Sequence, residues 1–89
     1  MFNPTDVKVV CREKVLSVFS KEAQRNILHA AVLGNLSSRQ TQDYKEAVEW
    51  VSRMRAKCKE LIKAQDPTFA SDSHWPEPSS AIKELAKAF

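Results

Sequence analysis

The sequence is poor in the residues that build tight turns and membrane spans. Its 89 residues include one glycine and no long apolar run. Because tight turns and phosphate-binding loops both need glycine, the composition argues against many-stranded β folds and glycine-rich nucleotide sites. The longest small apolar run, AAVL at residues 30–33, is far shorter than the roughly 20 residues of a membrane-spanning helix. We therefore predict an all-α protein without a membrane segment.

Cysteine is also scarce. Cys11 and Cys58 are the only two, which is too few for a disulfide framework. Both lie among apolar positions, and this favours buried free thiols in a reducing cytosol over a disulfide bridge. The chain opens without a basic segment followed by an apolar one, so no secretion signal is expected. Together these features predict a cytoplasmic location.

The residues that are present make a globular composition, with 43% hydrophobic and 28% charged side chains. That is enough for one small helical domain over residues 1–89. The 14 basic residues exceed the 11 acidic ones, for a net charge of +3. A net positive charge this small permits attraction to nucleic acid or to acidic proteins without requiring either.

Apolar residues spaced three and four apart predict a first helix over residues 5–18. Thr5 or Asp6 is the expected N-cap, because either side chain can accept hydrogen bonds from the first-turn N–H groups. The valine-rich stretch VKVV at residues 7–10 leaves a short β-strand as the alternative.

A break at Ser20 separates this helix from the next. From Ala23 onward the apolar residues would fall on nearly the opposite side of a continuous helix, and serine is a good N-cap. A second helix is therefore predicted over residues 21–33. Gly34 is expected to end it, since glycine commonly follows the last helical turn.

The strongest helical pattern begins at Ser37, which together with Gln40 matches a capping box. Pro67 ends the pattern because it restricts the residue before it, so the predicted helix covers residues 38–65. Packing on the N-terminal helices is favoured over a free coiled coil, since the pattern spans just under three heptads. Its apolar stripe consists of Tyr44, Ala47, Val48, Val51, Met54, Cys58, Leu61 and Ile62.

Residues 66–79 contain three of the four prolines and little helical periodicity. We predict an extended surface connection there, held down by Phe69 and Trp75. A last helix is predicted over residues 80–88, and its apolar face needs a docking surface in this chain or in a partner's groove. That face consists of Ile82, Leu85, Ala86 and Phe89.

No group of residues identifies a catalytic or metal chemistry. The four candidate zinc ligands, Cys11, His29, Cys58 and His74, include no closely spaced pair of the kind that zinc sites use. The carboxylates of the long helix are explained by the helix dipole and by pairing with nearby cations. We expect no enzymatic activity, no metal and no cofactor.

Basic residues crowd the second half of the long helix. They lie on both flanks of its apolar stripe, so they do not form one surface for reading a nucleic-acid groove. A solvated face is the favoured interpretation, followed by electrostatic contact with an acidic protein and then with nucleic acid. The residues are Arg53, Arg55, Lys57, Lys59 and Lys63.

The stretch SDSHWPEPSS at residues 71–80 places Trp75 between a histidine and a proline. Trp75 either packs over the long helix near Trp50 or is presented by a stiff proline segment to a partner protein, for which a large aromatic ring is a favoured anchor. The second alternative predicts a set of partner-binding residues: Phe69, Trp75, Pro76, Pro78, Ile82, Leu85 and Phe89.

The stretch YKEAVEWV, followed by HWPEP, resembles small bacteriophage tail-assembly proteins of the chaperone type. In these a tyrosine-led helix precedes a Trp-Pro segment with another proline close behind. The resemblance spans Tyr44 to Pro78, although the separation of Tyr44 from Trp75 is long. It implies a non-enzymatic phage component that binds tail proteins, or further copies of itself, in the host cytoplasm or in the virion.

Two other classes of function remain open. One is a small inhibitor of a host defence complex, of the anti-CRISPR kind. The other is a nucleic-acid-binding accessory protein, which predicts steeply salt-dependent binding that is lost when the basic residues of the long helix are neutralised. The main hypothesis, a protein–protein interaction module, predicts binding that is sensitive to Trp75→Ala and only weakly to salt.

Overall fold

The computed structural model describes residues 2–89, and these form four α-helices and one short 3-10 turn without any β-strand. The all-α prediction is confirmed, and the strand alternative for residues 7–10 is wrong because they lie within the first helix. Each helix boundary lies within one residue of its predicted position. The helices are α1 (Pro4–Val18), α2 (Lys21–Val32), α3 (Ser38–Ala64) and α4 (Ser80–Lys87).

The start of α1 differs from the prediction, since Asn3 is the N-cap and not Thr5 or Asp6. The Oδ1 atom of Asn3 accepts a hydrogen bond from the Thr5 N–H at 2.9 Å. Pro4 occupies the first helical position, where its missing N–H costs no helical hydrogen bond and its restricted φ suits the turn. The helix therefore begins one residue earlier than the apolar pattern indicated.

The break between α1 and α2 occurs at the predicted serine. Phe19 is extended, and the Ser20 hydroxyl oxygen accepts a hydrogen bond from the Ala23 N–H at 3.0 Å. The break lets Ala23 and Ile27 of α2 face the same core as Val7 and Cys11 of α1. In a continuous helix Ala23 and Ile27 would lie on nearly the opposite side from Val7, because each residue turns the helix by about 100°.

Helices α2 and α3 both end in a Schellman motif, in which two N–H groups after the helix donate hydrogen bonds to carbonyls of its last turn. At the end of α2 the left-handed residue is the predicted Gly34, with φ of 71°. At the end of α3 it is Gln65, with φ of 51°. A left-handed glutamine carries a steric cost that glycine avoids, and only the following Pro67 marked this end in the sequence.

The capping box predicted for α3 is confirmed. The Gln40 N–H donates to the Ser37 hydroxyl at 3.1 Å, and the Ser37 N–H donates to the Gln40 side chain at 3.0 Å. The 27 residues of α3 make a rod of about 40 Å. This helix sets the shape of the molecule, whose extents are 47 × 19 × 18 Å.

The core is a narrow strip along α3, against which α1 and α4 pack. The radius of gyration is 14.4 Å, compared with about 12 Å for a compact chain of this length, so much of α3 has only one layer of neighbours. No helix in residues 2–89 has the length and apolar character needed to cross a membrane. The buried residues are Val7, Cys11, Phe19, Ala23, Ile27, Ala47, Trp50, Met54, Cys58, Leu61, Trp75, Ile82 and Leu85.

The connection at residues 66–79 is less extended than predicted. Residues 67–70 form a turn, Asp72–His74 form the 3-10 turn, and only residues 76–79 run without regular structure into α4. An ion pair between Lys14 and Asp72 ties the connection to α1. The turns allow Trp75 to reach the core while the chain reverses direction after α3.

Candidate functional site

An open depression of about 470 Å³ lies between α2 and the middle of α3, and residues at the end of α1 also line it. Most of its lining is apolar. We call it the α2–α3 groove, and the residues that define it are Phe19, Arg25, Leu28, Tyr44, Val48 and Arg55.

The groove exists because α2 turns only a narrow face inward. Ala23 and Ile27 are buried, whereas Leu28, the next residue, is 51% exposed. On the opposite wall Val48 is 50% exposed, although the predicted apolar stripe included it. Val48 follows the buried Ala47 and is therefore rotated about 100° around the helix from the packed face. Two large apolar side chains on facing helices are thus left in contact with solvent.

The Trp-Pro segment is used within the chain's own fold. Trp75 is 6% exposed, and its indole N–H donates to the Phe69 carbonyl at 2.8 Å. The indole N–H of Trp50, which is also buried, donates to the Pro76 carbonyl at 3.0 Å. The two tryptophans therefore anchor the connection to α3, which is the intramolecular alternative for Trp75.

The predicted set of partner-binding residues is corrected accordingly. Trp75 is buried by the fold of the connection, and Ile82 and Leu85 are buried because α4 docks its apolar face on α3. A partner cannot reach these three side chains while the fold is intact.

The other four members, Phe69, Pro76, Pro78 and Phe89, are half-buried. Phe69 packs edge-to-face against Phe2 with ring centroids 6.0 Å apart. Pro76 and Pro78 border a smaller depression of about 290 Å³ beside Trp75. These residues support the connection and present little aromatic surface for binding.

The basic residues of α3 are mostly solvated, as the favoured interpretation expects. Arg53, Arg55, Lys59 and Lys63 are exposed, while Lys57 is half-buried and pairs with Glu60 at 3.3 Å. Of these five, Arg55 alone lines the α2–α3 groove. The structure does not gather them into one surface.

A polar cluster of Asp66, Thr68 and His74 holds the turn after α3. The Thr68 hydroxyl and backbone N–H donate to the same Asp66 oxygen at 2.7 and 2.8 Å, and they lower the pKa of that carboxyl below its ordinary 3.8. Because the hydroxyl proton is used in this way, His74 Nε2 donates to the Thr68 oxygen at 2.8 Å.

This cluster does not have the geometry of a nucleophilic triad. The Asp66 carboxylate approaches the same His74 nitrogen that contacts Thr68, at 3.6 Å, so Asp66 does not orient the other ring nitrogen as the acid of a triad does. The cluster stabilises a turn. The sequence pattern does not reveal this cluster, because His74 and its partners become neighbours only when the turn forms.

The two thiols, Cys11 on α1 and Cys58 on α3, are free and buried. The Cys11 thiol donates weakly to the Met54 carbonyl at 3.7 Å. Burial, followed by the neighbouring Cys58, raises the pKa of Cys11 above its ordinary 9.0. The thiol therefore favours the folded state below pH 9, and this contribution is lost as the pH rises from 9 through the folded-state pKa.

We expect both cysteines to react with a thiol reagent such as DTNB at pH 8 at least about tenfold more slowly in the folded protein than in urea, since reaction requires opening of the α1–α3 interface. The reaction is followed by absorbance, with mass spectrometry to locate the label. Labelling of either cysteine at the rate of the unfolded chain would contradict the packing described here.

In residues 2–89 no three histidine, cysteine, aspartate or glutamate side chains lie close enough together to hold a metal ion. The α2–α3 groove is thus the feature of the described chain that most resembles a binding site, and nothing in the sequence pattern marked it. Leu28 and Val48 each follow a buried residue, and Val48 was even included in the predicted apolar stripe, so helical periodicity did not show that both remain exposed. No protein-family model, curated protein or solved structure matches this chain.

Proposed function

We propose that this protein is a non-enzymatic protein–protein interaction module and that the α2–α3 groove is its binding surface. The observation that carries the proposal is the pair of half-exposed side chains, Leu28 and Val48, which face one apolar groove from two helices. Contiguous apolar surface of this kind on a small domain marks an interaction site.

The exposed apolar side chains of the groove favour a protein ligand on energetic grounds. Fully burying a leucine or valine side chain is worth roughly 1.5–3 kcal/mol, so covering the exposed half of Leu28 and of Val48 offers about 1 kcal/mol each. Phe19 and Ile27 beneath them are already packed, which gives a partner a rigid floor. A preformed surface of this type lowers the entropy lost on binding.

The resemblance of the Tyr44–Pro78 region to tail-assembly chaperones makes a phage tail or morphogenetic protein the first partner to test. This resemblance includes Trp75, whose ring lies in the core, so we place the binding surface elsewhere. Tyr44, the first residue of the resemblance, lines the groove.

The proposal predicts that Val48→Asp weakens partner binding by at least about tenfold, because it places a charge in the apolar contact. The tagged protein and this variant are compared by quantitative capture from nuclease-treated native lysate, followed by titration of any recovered protein. Val9→Asp is the matched control, since Val9 is 37% exposed on α1 and does not line the groove.

Equal recovery of every bound protein by wild type, Val48→Asp and Val9→Asp would contradict the proposed binding surface. Loss of all partners on nuclease treatment would instead support the nucleic-acid alternative. Circular dichroism of each variant verifies that the helices are retained, because both substitutions are at solvent-exposed helix positions.

A further inference from the structure

We propose that the occupant of the α2–α3 groove is an amphipathic helix of another protein that carries acidic side chains beside its apolar face. This inference rests on the proposed function and adds the chemistry of the partner. It follows from the charges around the groove, the shape of the groove and the free apolar surface of the chain itself.

The charges on the groove are all of one sign. Arg25 on α2 and Arg55 on α3 are its charged lining residues, and no aspartate or glutamate lines it. Both arginines are exposed. Neither has a carboxylate within 4.0 Å among residues 2–89, although other basic residues of α3 and α4 do form ion pairs. The groove therefore offers two unused guanidinium groups next to an apolar floor.

Guanidinium groups placed beside an apolar contact select carboxylates, because they bind them with paired and charge-assisted hydrogen bonds. Acidic residues flanking the apolar stripe of a bound helix would meet Arg25 on one wall and Arg55 on the other. A basic helix would instead bring like charges together at both walls, at a cost in affinity.

The shape of the groove suits a helix. Its walls are two helices, so it has no sheet edge to which an extended peptide could add a strand. Helices in such grooves are held by apolar side chains spaced three or four residues apart, and the apolar floor between Leu28 and Val48 can receive them.

A second copy of this chain is a poorer occupant. A symmetric dimer through the groove would place each groove against its own copy and bring four arginines of like charge into one interface. The amphipathic helix that the chain does possess, α4, is already packed, since Ile82 and Leu85 are 1% and 3% exposed. We therefore assign the partner helix to a different protein.

The test is a selection from a displayed library of helical peptides of about 18 residues, or five turns, randomised along one face. We expect enriched peptides to combine an apolar stripe with flanking aspartate or glutamate. By fluorescence anisotropy, these peptides should bind the double variant Arg25→Glu/Arg55→Glu at least about tenfold more weakly than wild type. Replacing their acidic residues with lysine should reverse that preference.

The matched control is Arg53→Glu/Lys59→Glu, which makes the same change in net charge at exposed α3 positions that do not line the groove. It should bind the selected peptides within about twofold of wild type at moderate salt, because exposed charges outside the contact are screened. An equal loss of affinity in both double variants would show attraction by net charge alone and would overturn the inference.

Two further outcomes separate this inference from the proposed function. Peptides without an acidic excess that still lose binding in Leu28→Asp would contradict the acidic partner while supporting the groove as a binding surface. Peptides whose binding is unaffected by Leu28→Asp, or no enrichment at all, would contradict both. A dimer of the protein alone in sedimentation, dissociated by Leu28→Asp, would identify a second copy as the occupant and overturn the inference.

Discussion

Replacing Trp50 with alanine is expected to lower the free energy of unfolding by about 3–5 kcal/mol, the range measured for large buried aromatic residues. Trp50 is 1% exposed and is among the largest fully buried side chains in the core. The substitution removes its packing against α4 and the connection, together with the hydrogen bond to the Pro76 carbonyl. Since a small domain has a stability of only about 5–15 kcal/mol, this loss is a large part of the total, and the variant should unfold at a clearly lower urea concentration.

The measurement is urea unfolding followed by far-ultraviolet circular dichroism, with the fluorescence of Trp75 as a second probe. Trp50→Phe is the control, because it keeps an aromatic ring while losing the indole N–H and should cost less than Trp50→Ala. A loss of less than about 1 kcal/mol in Trp50→Ala would mean that α4 and the connection do not pack on α3 as described.

Trp75→Ala is expected to destabilise the fold by about 3 kcal/mol. This differs from the sequence-based hypothesis, in which the substitution acts directly on partner binding. Trp75 is buried and its N–H bonds to Phe69, so its loss should free the connection and loosen α4. Any effect on binding should then follow from unfolding.

Thermal unfolding and partner titration of the same variant distinguish the two hypotheses. Trp50 fluorescence reports on the remaining core, and Leu33→Ala is a control because Leu33 is 72% exposed. A Trp75→Ala protein with wild-type stability and abolished binding would support a direct contact between Trp75 and the partner protein. A destabilised variant that binds normally under conditions where it is folded would support the intramolecular role.

The polar cluster at the end of α3 shows how local chemistry depends on the fold. Asp66 and Thr68 are two residues apart and form a turn that their types favour. His74 joins them only because the 3-10 turn at Asp72–His74 brings the ring back toward Thr68. The sequence analysis predicted an extended connection here, and it predicted neither the turn nor the contact with His74.

The helix boundaries were determined largely by the sequence itself, because caps and stops act within four residues of the helix end. Ser20, the Ser37–Gln40 pair and Gly34 each satisfy or end a helix through neighbouring backbone groups. The N-cap of α1, which is Asn3 and not Thr5 or Asp6, was also decided locally, since the restricted φ of Pro4 suits the first helical position.

Only the tertiary structure decided which apolar residues are buried and which remain available. Val48 belongs to the predicted apolar stripe of α3 and Trp50 does not, yet Val48 is 50% exposed and Trp50 is 1% exposed. The difference arises because the connection and α4 cover one flank of α3, whereas α2 leaves the other flank open. Helical periodicity specifies a face of a single helix, but the other helices and their connections determine how much of that face is covered. The α2–α3 groove follows from this arrangement, which no pattern along one helix contains.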